Sequence, residues 1–213
     1  MSERRSGRRS LVDRASTRIL EALGTRLWGF APRLMAVIVD ELGGAAALSW
    51  FARNMPRYER TFKVFGPART HLLASTISML SGCKYCTFGH AYAFQLVVLR
   101  ERNLLFPIDE GGFLELANAD AVTVRARLTE ALRAVRMDAE VKALDRLYEL
   151  LDGAPPGDLE DQRIAHLIEM FATLNRCGIA GDVLPDAAHD PVNKDEALKL
   201  RYGELRRAQY GAE

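Results

Sequence analysis

Apolar residues recur along the chain at helical spacing, and glycine and proline cut that pattern into helix-length pieces. Ser10 is placed to cap a first helix over about 11–23, ending at Gly24. Ala31-Pro32 opens a second that runs to Leu42 and closes at Gly43-Gly44. A third covers 45–54 and stops at Met55-Pro56, and a short fourth reaches Phe65. Gly66-Pro67 starts a fifth, because a missing N–H is no loss at the first helical position; it runs to about Leu80 and stops at Ser81-Gly82. A sixth begins at Cys83 and continues to about Asn103, before Pro107.

The second half reads the same way. Residues 121–135 are helical, with Leu128, Leu132 and Val135 at periodic positions, and Asp138 caps a helix to Leu151. Gly153-Ala154-Pro155-Pro156-Gly157 is a linker, 158–177 a long helix, and 184–191 a polar loop. A charged helix over about 193–209 follows. Alternating, β-branched strand patterns are essentially absent, so the fold class is all-α. One domain is expected over 11–213, since apolar positions on both sides of the linker (148–151 and 167–171) need a partner surface.

Composition narrows the function. Of 213 residues 48% are hydrophobic, enough for a sizeable core. The 29 basic and 28 acidic residues leave a net charge of +1, so no whole-chain field draws the protein towards nucleic acid or a membrane surface. Arg4, Arg5, Arg8 and Arg9 stand among Ser and Gly, and residues 1–10 are expected to be a solvated, disordered basic tail. The start lacks the apolar stretch of a secretory signal, and no run approaches the ~18 apolar residues of a membrane span. The expectation is a cytoplasmic protein.

Three cysteines do not make a disulfide framework, but two of them stand three residues apart. The stretch is Ser81-Gly82-Cys83-Lys84-Tyr85-Cys86-Thr87-Phe88-Gly89-His90. On a helix beginning at Gly82 or Cys83, Cys83, Cys86 and His90 share one face, within roughly 60° of one another. Sulfurs so spaced can close a disulfide after a small adjustment. The first turn, with unpaired N–H groups, lowers a thiol pKa from ~8.5 towards neutrality. His90, one turn beyond Cys86, is placed to take or return the proton. On the preceding helix His71, Ser75 and Ser78 form a polar stripe that either lines this site or faces solvent.

The competing accounts are a zinc site built from Cys83, Cys86 and His90 with His71 as a fourth ligand, and an inert packing role. Structural zinc sites usually pair two short motifs, and no second Cys-x-x-Cys is present. Cys177 reads as a small buried side chain, His166 as a satisfied helix residue, and His189 as solvated in its polar loop. Trp50, Phe51, Tyr58, Phe62 and Phe65 read as core or subunit interface, with a pocket lining as the alternative.

The motif and its place after an apolar helix resemble the redox-active branch of the carboxymuconolactone decarboxylase and alkylhydroperoxidase D (AhpD-like) superfamily. There a helix ending in Asn/Ser-Gly leads into Cys-x-x-Cys-x-x-x-His, as in the Ser81-Gly82-Cys83 stretch here. A late Phe171-Ala172-Thr173-Leu174-Asn175-Arg176 resembles a further family feature, so the similarity maps onto about 30–182. The resemblance implies an AhpD-like helical bundle, a homo-oligomer, and no metal or organic cofactor. It implies Cys86 as peroxidatic nucleophile, Cys83 as resolving cysteine and His90 in a proton relay. A peroxide or disulfide would be the substrate, and a dihydrolipoyl or thioredoxin-like dithiol protein the reductant. The family's relay Glu falls on His71, which is able to move protons with a different pH dependence.

Overall fold

The computed structural model describes residues 9–210, so Arg4, Arg5 and Arg8 of the expected tail lie outside the described residues. Within them the chain forms nine α-helices and one 3₁₀ turn, with no strand, as the periodicity predicts. Of that stretch only Arg9 and Ser10 are described. Arg9 pairs with Asp40, and Ser10 caps α1 (Leu11–Trp28) in a reciprocal box with Asp13.

Gly24 does not end α1. A Cβ there would lie 2.2 Å from the Pro32 ring, so this glycine serves close packing, and the left-handed Gly29 (φ 87°) is the true stop. α2 (Leu34–Leu42) is separated by Gly43 from α3 (Gly44–Leu80). The expected stop at Met55-Pro56 is absent, and the helix runs through Pro56. Side chains of Arg53 and Asn54 donate to the carbonyls of Ser49 and Trp50, tying down the turn that proline weakens. The break at Gly66-Pro67 is real, with Gly66 at φ 77° and ψ 165°.

α4 (Lys84–Arg102) is the central helix, with Phe94, Leu96, Val97, Val98 and Leu99 all buried. It packs along α3, and α8 (Leu159–Ala180) crosses both. α5 (Glu110–Leu116), α6 (Ala121–Ala134) and α7 (Asp138–Leu151) follow α4 in the chain. Two glycines in seven residues hide α5 from a periodicity reading, but Asp109 caps it by accepting from Gly112 N–H. Across the 153–157 linker, Arg146 grips Asp161 through two nitrogens, fixing α7 to α8.

After α8 the chain forms a strap over 181–190, the 3₁₀ turn Pro191–Lys194 and α9 (Glu196–Tyr210). α9 is tied to α4 by Arg206, which donates to Gln95 and to the Phe106 carbonyl. Among the described residues no single helix is long and apolar enough to cross a membrane.

Candidate active site

The turn between α3 and α4 sets the sulfur geometry. Gly82, at φ 77°, lets Cys83 N–H reach the Ser78 carbonyl (3.0 Å) and Gly82 N–H the Met79 carbonyl (3.0 Å). This Schellman arrangement closes α3 and leaves Cys83 as the N-cap of α4. The Cys83 sulfur therefore faces the unpaired N–H groups of a helix start. The neighbouring Cys86 thiol lowers the Cys83 pKa most, followed by the backbone N–H groups of Cys86 and Tyr85. Together these outweigh burial and hold the Cys83 thiol below its ordinary range. Cys86 shifts the other way. Its hydrogen bond to Cys83, then burial, then the negative charge expected on Cys83 push it well up. The two shifts oppose each other, so the pair gives up its first proton from Cys83. All three cysteines are free and buried.

His71 and His90 come from the two helices that flank this turn. Their Nδ1 atoms are 3.0 Å apart, and His71 Nε2 lies 2.9 Å from Asp190 Oδ2. Burial opposes charge on Asp190, but its hydrogen bond and charge interaction with His71 keep the carboxyl below the usual carboxylate range. A charged Asp190 can only accept, so His71 Nε2 carries a proton. When His71 holds that one proton only, its Nδ1 accepts and His90 Nδ1 donates; when it holds a second, the bond reverses. Burial first, and then His189 and His71, hold the pKa of His90 well below the usual range, so its ring is neutral, and in the first of these tautomers Nε2 is a bare base. A proton arriving at His90 Nε2 pushes the Nδ1 proton to His71, and the resulting imidazolium faces Asp190. The three side chains form a hydrogen-bonded chain with one open end.

The strap brings in a second histidine. His189 is buried, not solvated as its polar neighbours imply. Its ring stacks on Trp28 and Phe30 at centroid distances of 5.4 and 6.0 Å and meets His90 edge-on at 5.2 Å. It fits only because residue 89 is glycine, where a Cβ would lie 2.3 Å from the His189 ring. Its backbone N–H donates to the Gly89 carbonyl at 3.0 Å. Asp186, 3.4 Å from His189 Nε2, accepts from the Tyr85 hydroxyl at 2.9 Å.

These groups surround a small, mostly apolar cavity of about 50 Å³, whose walls include Trp28, Phe51, Tyr58, Cys86, His90, Phe171 and His189. That volume holds roughly three to five water-sized groups. The Tyr58 hydroxyl is buried and has no partner among the described residues, and burial keeps it protonated by pushing its pKa up. It is a free donor beside the base and the thiol pair.

Of the expected residues, Cys86 and His90 line the cavity, Cys83 bonds to Cys86, and His71 sits behind His90. The His71, Ser75 and Ser78 stripe faces the interior, not solvent. Phe51 and Tyr58 join the cavity wall, while Phe62 packs edge-on against His71 at 5.0 Å. His166 is only half satisfied, with Nε2 bonded to Asn54 and Nδ1 unpartnered. Among the described residues no three His, Cys, Asp or Glu side chains are arranged to hold a metal ion. Sequence reasoning missed Asp190, His189 and Asp186; the Asp-x-x-His-Asp spacing within 186–190 was the available signal. Compared with known proteins, the chain matches no family model, no curated protein and no solved structure.

Proposed function

We propose that the protein is a thiol-dependent oxidoreductase of AhpD-like type, reducing a peroxide or disulfide through the Cys83–Cys86 couple. The observation that carries this reading is a cavity that holds the Cys86 thiol together with His90, whose ring is backed by His71 and Asp190.

With a hydroperoxide, His90 Nε2 takes one proton from the thiol pair and the other settles on Cys83, leaving a Cys86 thiolate at the cavity wall. That thiolate attacks the terminal peroxide oxygen, the O–O bond breaks, and Cys86 becomes a sulfenic acid. The departing alkoxide takes that proton back from His90 Nε2. The Cys83 thiol then attacks the sulfenic sulfur, forming the disulfide and releasing water. A dithiol donor returns both sulfurs to thiols by exchange and leaves as its own disulfide. The ring-lined cavity suits a small, weakly polar oxidant, and Tyr58 is free to donate to its oxygen.

The roles of the cysteines follow access as well as acidity. Cys83 is the more acidic thiol, yet Cys86 is the one on the cavity wall. This division supports Cys86 as the attacking sulfur and Cys83 as the store of charge. A homo-oligomer, a cytoplasmic location and a dihydrolipoyl or thioredoxin-like reductant belong to the same proposal.

Peroxide treatment followed by alkylation and mass spectrometry tests it. The expected product is a Cys83–Cys86 disulfide in the wild type and a trapped Cys86 sulfenic acid in Cys83→Ser. Near-total burial of both sulfurs, 1% and 2% exposed, favours a second reading, a non-catalytic scaffold. Both thiols remaining reduced and alkylatable after peroxide would establish that reading instead.

A further inference from the structure

The cavity at Cys86 is small for a substrate site. Its volume is about 50 Å³. Sites for drug-sized ligands measure about 300–1,000 Å³, and benzene alone occupies an apolar cavity of about 150 Å³. α4 supplies the reacting groups Cys86 and His90. The room beside them is limited by Phe51 and Met55, one turn apart on α3, and by Met170 and Leu174, one turn apart on α8. α3 and α8 pack against each other, and Met170 and Leu174 are buried. This wall is therefore close-packed core and not a loop able to step aside.

The room left sets the size of the oxidant. A hydroperoxide group takes the space of about two water-sized groups, and the cavity holds roughly three to five, so about one to three carbons remain. We propose that the oxidant is hydrogen peroxide or a short-chain alkyl hydroperoxide, and that Phe51, Met55, Met170 and Leu174 determine this specificity by excluding bulkier ones. The inference rests on the reading of Cys83 and Cys86 as a peroxide-reducing couple, and it names which peroxides that couple meets. The hydroperoxide and the two thiols become an alcohol, or water in the case of hydrogen peroxide, together with one further water and the disulfide. An aromatic hydroperoxide has to push packed side chains apart before its O–O bond reaches Cys86, and overpacking of that kind is unfavourable. The limit applies to the oxidant alone. Cys83 is not on the cavity wall, and its turn neighbours Ser81, Gly82 and Lys84 are exposed, so exchange with a dithiol donor need not pass through the cavity.

Two measurements test the size limit. In the first, reduced protein is mixed with hydrogen peroxide or with cumene hydroperoxide, without any reductant, and the Cys83–Cys86 disulfide is counted against time by mass spectrometry. Each rate is divided by that of free cysteine with the same oxidant, which removes the oxidant's own reactivity. The expected ratio for cumene hydroperoxide lies at least about tenfold below that for hydrogen peroxide, the scale on which apolar pockets sort ligands by size. The double variant Met55→Ala, Leu174→Ala removes about as many heavy atoms as a benzene ring contains. It should raise the cumene ratio relative to that of hydrogen peroxide by at least about tenfold.

The second measurement needs no chemistry at the thiols. Benzene should leave the wild-type Tm unmoved and raise that of the double variant, because a ligand that binds only the folded state stabilises it. Where the double variant does not fold, Met55→Ala alone, at a partly buried position, carries both measurements. Matching ratios for the two peroxides in the wild type, a cumene ratio that the substitutions do not raise, or a benzene-induced rise in the wild-type Tm overturns the size limit and leaves the couple standing. No disulfide with either peroxide overturns the couple itself, and the inference with it.

Discussion

The site joins two regions of different kind. The α3–α4 hairpin supplies both sulfurs and both relay histidines from positions 71–90, held by helix hydrogen bonds and a Schellman turn. The strap over 181–190 has no regular structure of its own and supplies carboxylates and one ring, held by what they touch. The difference separates two tasks. Acidity of the thiol pair arises within the hairpin, from a helix start and from the other sulfur. The fate of the proton is set by the strap, through Asp190. Changes in the hairpin should therefore remove chemistry outright, while changes in the strap should retune it.

The largest effect is expected within the hairpin. Cys86→Ser should abolish peroxide turnover, and Cys83→Ser should permit one oxidation per protein without recycling. Quenched-flow counting of oxidant consumed per subunit checks both. Full turnover in either variant would show that the two sulfurs do not act as a couple.

Next comes the strap's carboxylate. Asp190→Asn keeps the shape but removes the charge that dictates the His71 proton, so the relay loses its direction. Turnover should fall by about 100-fold, the lower end of a general acid–base contribution, and its pH profile should move. The rate at which Cys83 is alkylated should change little, because its acidity is local. A parallel loss in both measurements would erase the distinction between hairpin and strap.

The contact between the two regions gives an intermediate effect. Gly89→Ala places a Cβ where the His189 ring lies, and that ring is confined by Trp28, Phe30 and Tyr85. Overpacking of this kind costs about 1–3 kcal/mol. For a chain of this length each kcal/mol lowers Tm by roughly 2–4 °C. Thermal melts of Gly89→Ala and of the double variant with His189→Ala check it, since removing the ring should restore much of the loss.

The two regions also differ in how far they can be read from the chain alone. Cys83, Cys86 and His90 announce themselves because a helix turns a spacing of three and four into proximity. His71 sits on the adjoining helix and needs only the hairpin to reach His90. The all-α class follows from periodicity for the same local reason. Asp190 lies 119 residues from its partner His71, and no local pattern encodes that meeting. His189 misleads for a related reason, because a polar loop reads as solvated until the tertiary fold lays it across α4. Gly24 and Pro56 show that a breaker stops a helix only when packing does not require otherwise.

The last expected effect concerns stability against pH, and its sign can be worked out. His90 and His166 are both buried and both held below the ordinary histidine range, His166 at about 4. Above pH ~6.5 neither state binds a proton at these sites, and their contribution to folding does not vary. As pH falls below that value the unfolded chain takes up protons that the folded protein refuses, so stability declines. Each histidine adds a slope of at most about 1.4 kcal/mol per pH unit, and for His166 the decline ends near pH 4, where the folded ring also protonates. The lowered carboxylates Asp186 and Asp190 act in the same direction, but only around and below their usual pKa near 3.8. Urea titrations between pH 4 and the ordinary histidine pKa of ~6.5 therefore isolate the histidines. His166→Gln should remove one slope and leave that of His90, which belongs to the relay. A variant whose stability still falls with the full wild-type slope would mean that the ring at 166 protonates as freely in the fold as outside it.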